Sequence, residues 1–133
     1  WDGICKALPN TQTLPYGAGN DSIYHIGDLS VLHGSQTGMY VSKQVAEHAA
    51  SSAIMGHVHS SAMFPLANAK GHVGYTSGCM CNLKMQYARQ WRSALKWNHG
   101  WAYGYEDAGQ ASVFLAIKRH NRWNYMQGDR RGG

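Results

Sequence analysis

The chain has 133 residues, 44% of them hydrophobic, and a formal net charge of +5 at pH 7. This length and apolar content suit one domain that buries a core without disulfide staples. No apolar run approaches the roughly 18 residues of a membrane span, so we expect residues 1–133 to form one soluble domain. The chain opens with Trp1 and nothing there resembles a signal peptide. We therefore expect a processed or trimmed product, or a piece of a longer reading frame.

The cysteines bear on location and on metal binding. There are three of them, Cys5, Cys79 and Cys81, too few for a complete disulfide framework, which favours a reducing, cytoplasmic setting. The Cys79-Met80-Cys81 run offers two thiolates to a metal, but it lacks the two-residue spacer and second pair of a zinc knuckle. We favour the interpretation that both are buried, apolar thiols.

The positive charge lies mostly in the second half of the chain, where tryptophans are interleaved with it. The residues concerned are Lys84, Arg89, Arg92, Lys96, Lys118, Arg119, Arg122, Arg130 and Arg131, with Trp91, Trp97, Trp101 and Trp123. Basic side chains hold phosphates and aromatic rings stack on bases, so one interpretation is phosphate or nucleic-acid contact through Arg89, Arg92 and Lys96. The other, which we favour, is a solvated face over a core that contains tryptophan.

The first part of the chain predicts a strand–helix–strand unit. Residues 1–20 are punctuated by proline and glycine and predict irregular structure, with one short helix near residues 4–8. Residues 22–26 and 29–32 predict two strands joined by a Gly27-Asp28 turn. A helix over about residues 39–52, capped by Ser35 or Thr37, leads to a buried strand at 53–56. Right-handed crossover makes that strand a parallel neighbour of residues 29–32.

Beyond residue 59 the pattern is mainly that of strands. Residues 62–66 and 72–76 predict one hairpin, and residues 101–105 and 112–119 predict a second strand pair that turns at 107–109. Residues 83–95 predict a helix, and the polar tail over 127–133 predicts a frayed end. The fold class that follows is α/β (α+β), in one domain.

Two of the apolar runs end in glycine and histidine. His33-Gly34 follows the strand over 29–32, and Gly56-His57-Val58-His59 follows the strand over 53–56. Parallel strands end at the same edge of a sheet, where α/β proteins build their sites, and neutral imidazole binds divalent transition metals. The sequence therefore predicts a metal site made by His33, His57 and His59. Isolated histidines, namely His25, His48, His72 and His120, are expected at the surface or in hydrogen bonds.

The His33-Gly34 and Gly-His-x-His elements, with the helix between them, resemble the C-terminal half of the calcineurin-like metallophosphoesterases. Gly78 and the run over 97–101 are similar to the phage and bacterial branch of that family, and the resemblance covers about residues 23–119. It implies a β-sandwich flanked by helices. It also implies that His33 and His57 are ligands of one metal ion and His59 of another, with manganese, iron, zinc or nickel as the metal. The implied activity is phosphoester hydrolysis.

The sequence departs from the family in its acidic residues. The Asp-x-His, Gly-Asp-x-x-Asp and Gly-Asn-His-Asp/Glu motifs of the N-terminal half are missing, and none of the seven acidic residues falls where the bridging ligand is expected. Three neutral histidines hold one ion plausibly, but they do not offset the repulsion between two. We therefore interpret the chain as a phosphoesterase fragment with an incomplete active site and no assigned catalytic residue.

This interpretation has consequences for partners, and two alternatives stand beside it. An exposed sheet edge is expected where the missing half packs, which predicts a homo-oligomer or a second chain that supplies that half. A truncated or metagenomic gene, or a split protein, is consistent with the missing motifs. The first alternative is a non-catalytic, basic, tryptophan-rich module that binds nucleic acid. The second is a degenerate structural protein whose histidines are hydrogen-bonded strand ends.

Overall fold

The computed structural model describes residues 22–83 and 96–125. Within them the order of elements is β1 (Tyr24–Ile26), β2 (Leu29–Leu32), α1 (Val41–Ala49), β3 (Ser52–Met55), β4 (Ser61–Pro65), β5 (Val73–Ser77), β6 (Gly100–Asp107), β7 (Gln110–Arg119) and β8 (Arg122–Asn124). Mixed sheets with a helix confirm the α+β class. The part of the chain described contains no helix that is long and apolar enough to cross a membrane.

The first sheet has five strands in the order β1-β2-β3-β5-β4. The predicted parallel pairing of β2 with β3 is confirmed, with Leu32 opposite Met55. Strand β5 also runs parallel to β3, with Met55 opposite Thr76. The predicted β4–β5 hairpin is confirmed, antiparallel with Ser61 opposite Ser77. Three parallel strands therefore end at one edge of this sheet.

The second sheet is the antiparallel meander β6-β7-β8. Its first hairpin turns at Ala108-Gly109, where both residues have positive φ (50° and 82°), as a two-residue type I′ turn requires. This confirms the strand pair predicted around residues 107–109. The tip is tied to the first sheet because the Ala111 N–H donates to Asp28 Oδ1 at 2.7 Å.

Strand alternation divides the core into two layers. Ala53 and Met55 of β3 pack on the buried face of α1, with Val41, Val45 and Ala46. The residue between them, Ile54, points the other way and packs with Leu29 and Tyr75, together with Ala102, Val113 and Leu115 of the second sheet. Successive strand residues point to opposite faces, so the short apolar run serves both layers. The order of layers is helix, first sheet, second sheet.

One buried polar group interrupts this core. Thr76 of β5 is fully buried, and its hydroxyl has no hydrogen-bond partner among residues 22–83 and 96–125. A buried hydroxyl without a partner costs free energy, typically about 1–3 kcal/mol in proteins. The position therefore favours an apolar residue of the same shape.

Helix α1 differs from the prediction at both ends. It begins at Val41 after Tyr40, which has no side-chain capping bond, so the predicted Ser35 or Thr37 cap is wrong. The reason is distance along the chain, because the first helical hydrogen bond runs from the Gln44 N–H to the Tyr40 carbonyl. The helix ends at Ala49, short of residue 52, since Ala50 takes a left-handed conformation with φ 51°. The predicted helix near 4–8, the tail over 127–133 and, apart from residue 83, the predicted helix over 83–95 lie outside the described residues.

Candidate metal centre

His33 and His57 meet at the shared edge of β2 and β3. Their ring centroids lie 5.1 Å apart and the rings are inclined at 74°. Both side chains are exposed, which leaves the pair open to solvent. His33 Nδ1 lies 2.9 Å from the Gly34 carbonyl. When Nδ1 donates this bond, the neutral ring carries its lone pair on Nε2, the arrangement found in many metal-binding histidines.

The glycine after His33 is required by close packing. Gly34 has φ +75°, and a Cβ there would overlap the Met55 side chain. A side chain at this position would therefore push the His33 turn away from the end of β3. At Gly56, before His57, a Cβ would meet nothing within 4 Å, and φ is not positive. The two glycines that flank the histidines thus differ in role, and only at Gly34 does the lack of a side chain allow the His33 turn to approach the end of β3.

His59 lies on the far side of a tight turn. Its N–H donates to the Gly56 carbonyl at 3.4 Å, and its own backbone is left-handed with φ 55°. The ring packs edge-on against Trp97, with centroids 4.5 Å apart. Burial lowers the pKa of His59, and the charges of His57 and His33 lower it further. The ring is consequently kept neutral near neutral pH, the form that binds metals.

Two cysteines complete a second cluster around His59. The Cys81 thiol lies 3.2 Å from the Cys79 sulfur and 3.9 Å from His59 Nδ1. Among the described residues, His59, Cys79 and Cys81 are the group whose possible ligand atoms all lie within 4.8 Å of one another. Burial, then the hydrogen bond with Cys81, raises the pKa of Cys79 to about 11. Without a metal, Cys79 is therefore a neutral thiol near neutral pH and a poor nucleophile.

The sequence favours apolar burial for these thiols and does not reveal their contact with His59. Both are half-buried. The signal that could have found the contact is positional. Gly78 and Cys79 follow β5, and β5 is the third parallel strand that ends at this edge. The sequence predicts the hairpin of β5 with β4, but not the place of β5 beside β3.

Asn98 joins the elements that carry this cluster. Its Oδ1 accepts the Ser61 N–H at 2.7 Å, and its Nδ2 donates to Ser61 Oγ at 2.9 Å. Its backbone N–H donates to the His59 carbonyl at 3.0 Å, and its carbonyl accepts the Cys79 N–H at 3.1 Å. A single asparagine therefore fixes the spacing of the His59 turn and the cysteine segment, and its side chain is engaged by Ser61.

Three of the described carboxylates are engaged away from the histidines. Asp28 accepts the Ala111 N–H, Glu106 accepts the Gly109 N–H at 2.5 Å, and Glu47 lies 3.4 Å from Lys43 Nζ. Within residues 22–83 and 96–125, no acidic side chain joins the group of possible metal ligands.

The remaining candidate residues fall into two sets. Lys96 is exposed, whereas Arg89 and Arg92 lie outside the described residues. Two of the isolated histidines are exposed and lie near a polar side chain, as expected. His25 Nδ1 lies 3.4 Å from Ser30 Oγ, and His48 Nδ1 lies 3.5 Å from Gln36 Nε2. In the part of the chain that the structure describes, neither His25 nor His48 belongs to the group of possible metal ligands.

The chain matches no protein-family model, no curated protein and no solved structure. What can be inferred about function therefore depends on the residues and geometry described above.

Proposed function

We propose that this chain is part of a metal-dependent phosphoesterase, in which His33 and His57 bind one divalent transition-metal ion and His59 binds a second. The observation that carries the proposal is the His33–His57 pair, whose ring centroids lie 5.1 Å apart at the ends of two parallel strands. The resemblance of these elements to calcineurin-like metallophosphoesterases supplies the reaction class. The substrate is a phosphoester, a monoester or a diester.

The three histidines alone hold one ion better than two, so binding of the second ion depends on added carboxylates. Imidazole nitrogens suit iron, zinc and nickel, whereas manganese also needs the oxygen ligands of a complete site, and two exposed rings leave room for substrate. A divalent ion supplies polarisation of the phosphoryl oxygens and activation of water for attack. His33 offers Nε2 once its Nδ1 donates to the Gly34 carbonyl, and His59 contributes a ring whose lowered pKa keeps it neutral.

A complete site needs carboxylates from elsewhere. Three of the described acidic residues are engaged away from the histidines, and like-charged ions need an anionic ligand between them. We infer that a second chain, or a second copy of this chain, supplies it. Strand β1 supports this, because Tyr24, His25 and Ile26 at the edge of the first sheet are all exposed. Among the described strands none pairs with the outer side of β1, and an unpaired edge is a ready site for strand addition. A reducing, cytoplasmic location fits the low cysteine content.

The test combines element analysis with hydrolysis of a nitrophenyl phosphoester, with and without added manganese. His57→Ala should lose the ion held by the His33–His57 pair, which lowers the metal content, and should abolish manganese-dependent turnover. His48→Ala, a histidine on α1 that lies outside the candidate metal centre, is the matched control and should leave both unchanged. Undiminished metal content in His57→Ala, or wild-type protein that takes up no metal, would refute the proposal. Metal uptake without turnover would support the metal site and count against phosphoesterase activity of this chain.

A second candidate function is nucleic-acid binding by the outer face of the second sheet. Trp101 and Trp123 pack with ring centroids 4.3 Å apart, and Trp123 lies opposite Lys118. Arg119 and Arg122 are also exposed, but they pair one position further along and strand alternation directs them to the opposite face. Aromatic rings next to basic side chains on a sheet suit base stacking and phosphate contact. Salt-dependent binding of single-stranded RNA or DNA that survives EDTA and is lost in Trp101→Ala would favour this function.

A further inference from the structure

The cluster of His59, Cys79 and Cys81 has the composition of a site for a thiophilic metal. Its parts come from two neighbouring strand ends, because His59 follows β3 and the two cysteines follow β5. Met80, between them, is 64% exposed. The i, i+2 spacing therefore directs both sulfurs to one side while the intervening residue faces solvent.

The distances are close to those of a tetrahedral zinc site. Bond lengths of about 2.3 Å to sulfur and about 2.0 Å to nitrogen place two thiolates about 3.8 Å apart, and a thiolate about 3.6 Å from the imidazole nitrogen. The Cys79–Cys81 separation is 3.2 Å, and the separation of Cys81 Sγ from His59 Nδ1 is 3.9 Å. Each differs from the tetrahedral value by about 0.6 Å or less, which a side-chain rotation accommodates.

The backbone around the cluster is fixed by hydrogen bonds. Cys79 is bridged to His99, donating its N–H to Asn98 and accepting the Gly100 N–H at 3.1 Å. The Asn98 N–H holds the His59 carbonyl, and the Trp97 ring packs on the imidazole. A ligand set held by packing and hydrogen bonds loses little freedom on binding an ion, which favours affinity.

We propose that His59 Nδ1, Cys79 Sγ and Cys81 Sγ form a binding site for Zn²⁺. Two sulfurs and one imidazole select zinc over manganese or magnesium, which prefer oxygen ligands. The ion displaces the thiol protons on binding, so the sulfurs bind as thiolates. The site does not depend on the proposed phosphoesterase function, although it shares His59 with it.

The thiolate site and the second ion of the proposed phosphoesterase site both use His59, so they compete for it. A neutral imidazole has one lone pair, so His59 binds zinc through Nδ1 only when Nε2 carries the proton. Zinc at the thiolate site therefore removes His59 from an ion that would need Nε2. Each proposal can nevertheless be refuted without the other, because the His33–His57 pair takes no part in the thiolate site.

Cobalt(II) is the probe, because thiolate ligation gives it an intense charge-transfer band in the near ultraviolet. The reduced, full-length chain is titrated with Co²⁺ and then with Zn²⁺. We expect the band to appear at one equivalent of cobalt and to be abolished by zinc. Cys79→Ser and Cys81→Ser should each raise the dissociation constant of cobalt by more than about 100-fold, beyond the effect of losing an outer-shell partner.

Three further variants sharpen the test. Cys81→His keeps three donors and one thiolate, so it should still bind cobalt with about half the band intensity. If a serine variant does not fold, this variant still tests whether the thiolates are the ligands. Cys5→Ser and His57→Ala should leave the band unchanged. Absence of the band from wild-type protein with titratable thiols, its persistence in both serine variants, or its loss in Cys5→Ser would overturn the proposal. If His57→Ala loses turnover but keeps the band, zinc binding by the thiolates does not depend on the His33–His57 pair, as proposed.

Discussion

Replacement of Asn98 tests how much its side-chain hydrogen bonds stabilise the fold beside the candidate metal centre. Asn98→Ala removes the two hydrogen bonds to Ser61, at 2.7 and 2.9 Å, and one from Nδ2 to the His99 carbonyl at 3.3 Å. Each such bond contributes about 0.5–1.5 kcal/mol, and leaving the half-buried Ser61 N–H without a partner adds to the loss. We expect the free energy of unfolding to fall by about 2–3 kcal/mol, which in a chain of this size lowers Tm by about 8 °C.

The assay is urea denaturation followed by circular dichroism, with a thermal scan beside it. Asn124→Ala is the matched control, because Asn124 is exposed on β8 and exposed positions usually change stability by less than about 0.5 kcal/mol. Asn98→Asp keeps an acceptor for the Ser61 N–H but loses both donated bonds, so it should lie between wild type and Asn98→Ala. A change of under about 0.5 kcal/mol in Asn98→Ala would show that the interaction with Ser61 does not stabilise the fold.

Three other changes test separate features. The folded-state pKa of His59 is lowered, so its contribution to stability is present above the unfolded pKa and is lost as pH falls through the folded value. His59→Asn removes this group. The free energy of unfolding measured in urea should therefore decline less between about pH 7.5 and about pH 5. An unchanged slope would contradict this. Gly34→Ala should cost about 1–3 kcal/mol, owing to positive φ and overlap with the Met55 side chain, whereas Gly56→Ala should be nearly neutral in the same denaturation assay. Equal effects of the two would refute the assignment of close packing to Gly34 alone. Thr76→Val removes a buried hydroxyl without a partner among the described residues and should raise the free energy of unfolding by about 1 kcal/mol, and destabilisation would indicate that the hydroxyl has a partner.

The sequence predicted the local parts of the fold well. The parallel pairing of β2 and β3 follows from two short apolar runs, a helix of suitable length and the right-handed crossover rule. Both hairpins follow from turn residues between strand patterns. The meeting of His33 and His57 needs nothing beyond that pairing, since both residues closely follow paired strand ends. These features depend on interactions within short stretches of chain.

The rest depends on contacts between distant residues. Strand β5 lies between β3 and β4. The local sequence predicts its pairing with β4, but it does not predict which strand pairs with the other side of β5. The thiols of Cys79 and Cys81 reach His59 only through that position of β5, because Cys81 lies 22 residues further along the chain. The Asn98–Ser61 bonds span 37 residues. The N-cap of α1 was mispredicted because the prediction used only the preference of serine and threonine for that position. In the structure the helix begins later, and Tyr40 occupies the N-cap position.

The left-handed backbone of His59 limits which residues can replace it during evolution. At φ 55° glycine, asparagine and aspartate are accommodated readily, while β-branched and bulky residues are disfavoured. The tolerated replacements keep the turn after β3 but change or remove the donor atom. Under the proposed ligand role of His59, genetic drift at this position would produce lineages that retain the architecture and differ in the ion they bind, or bind none.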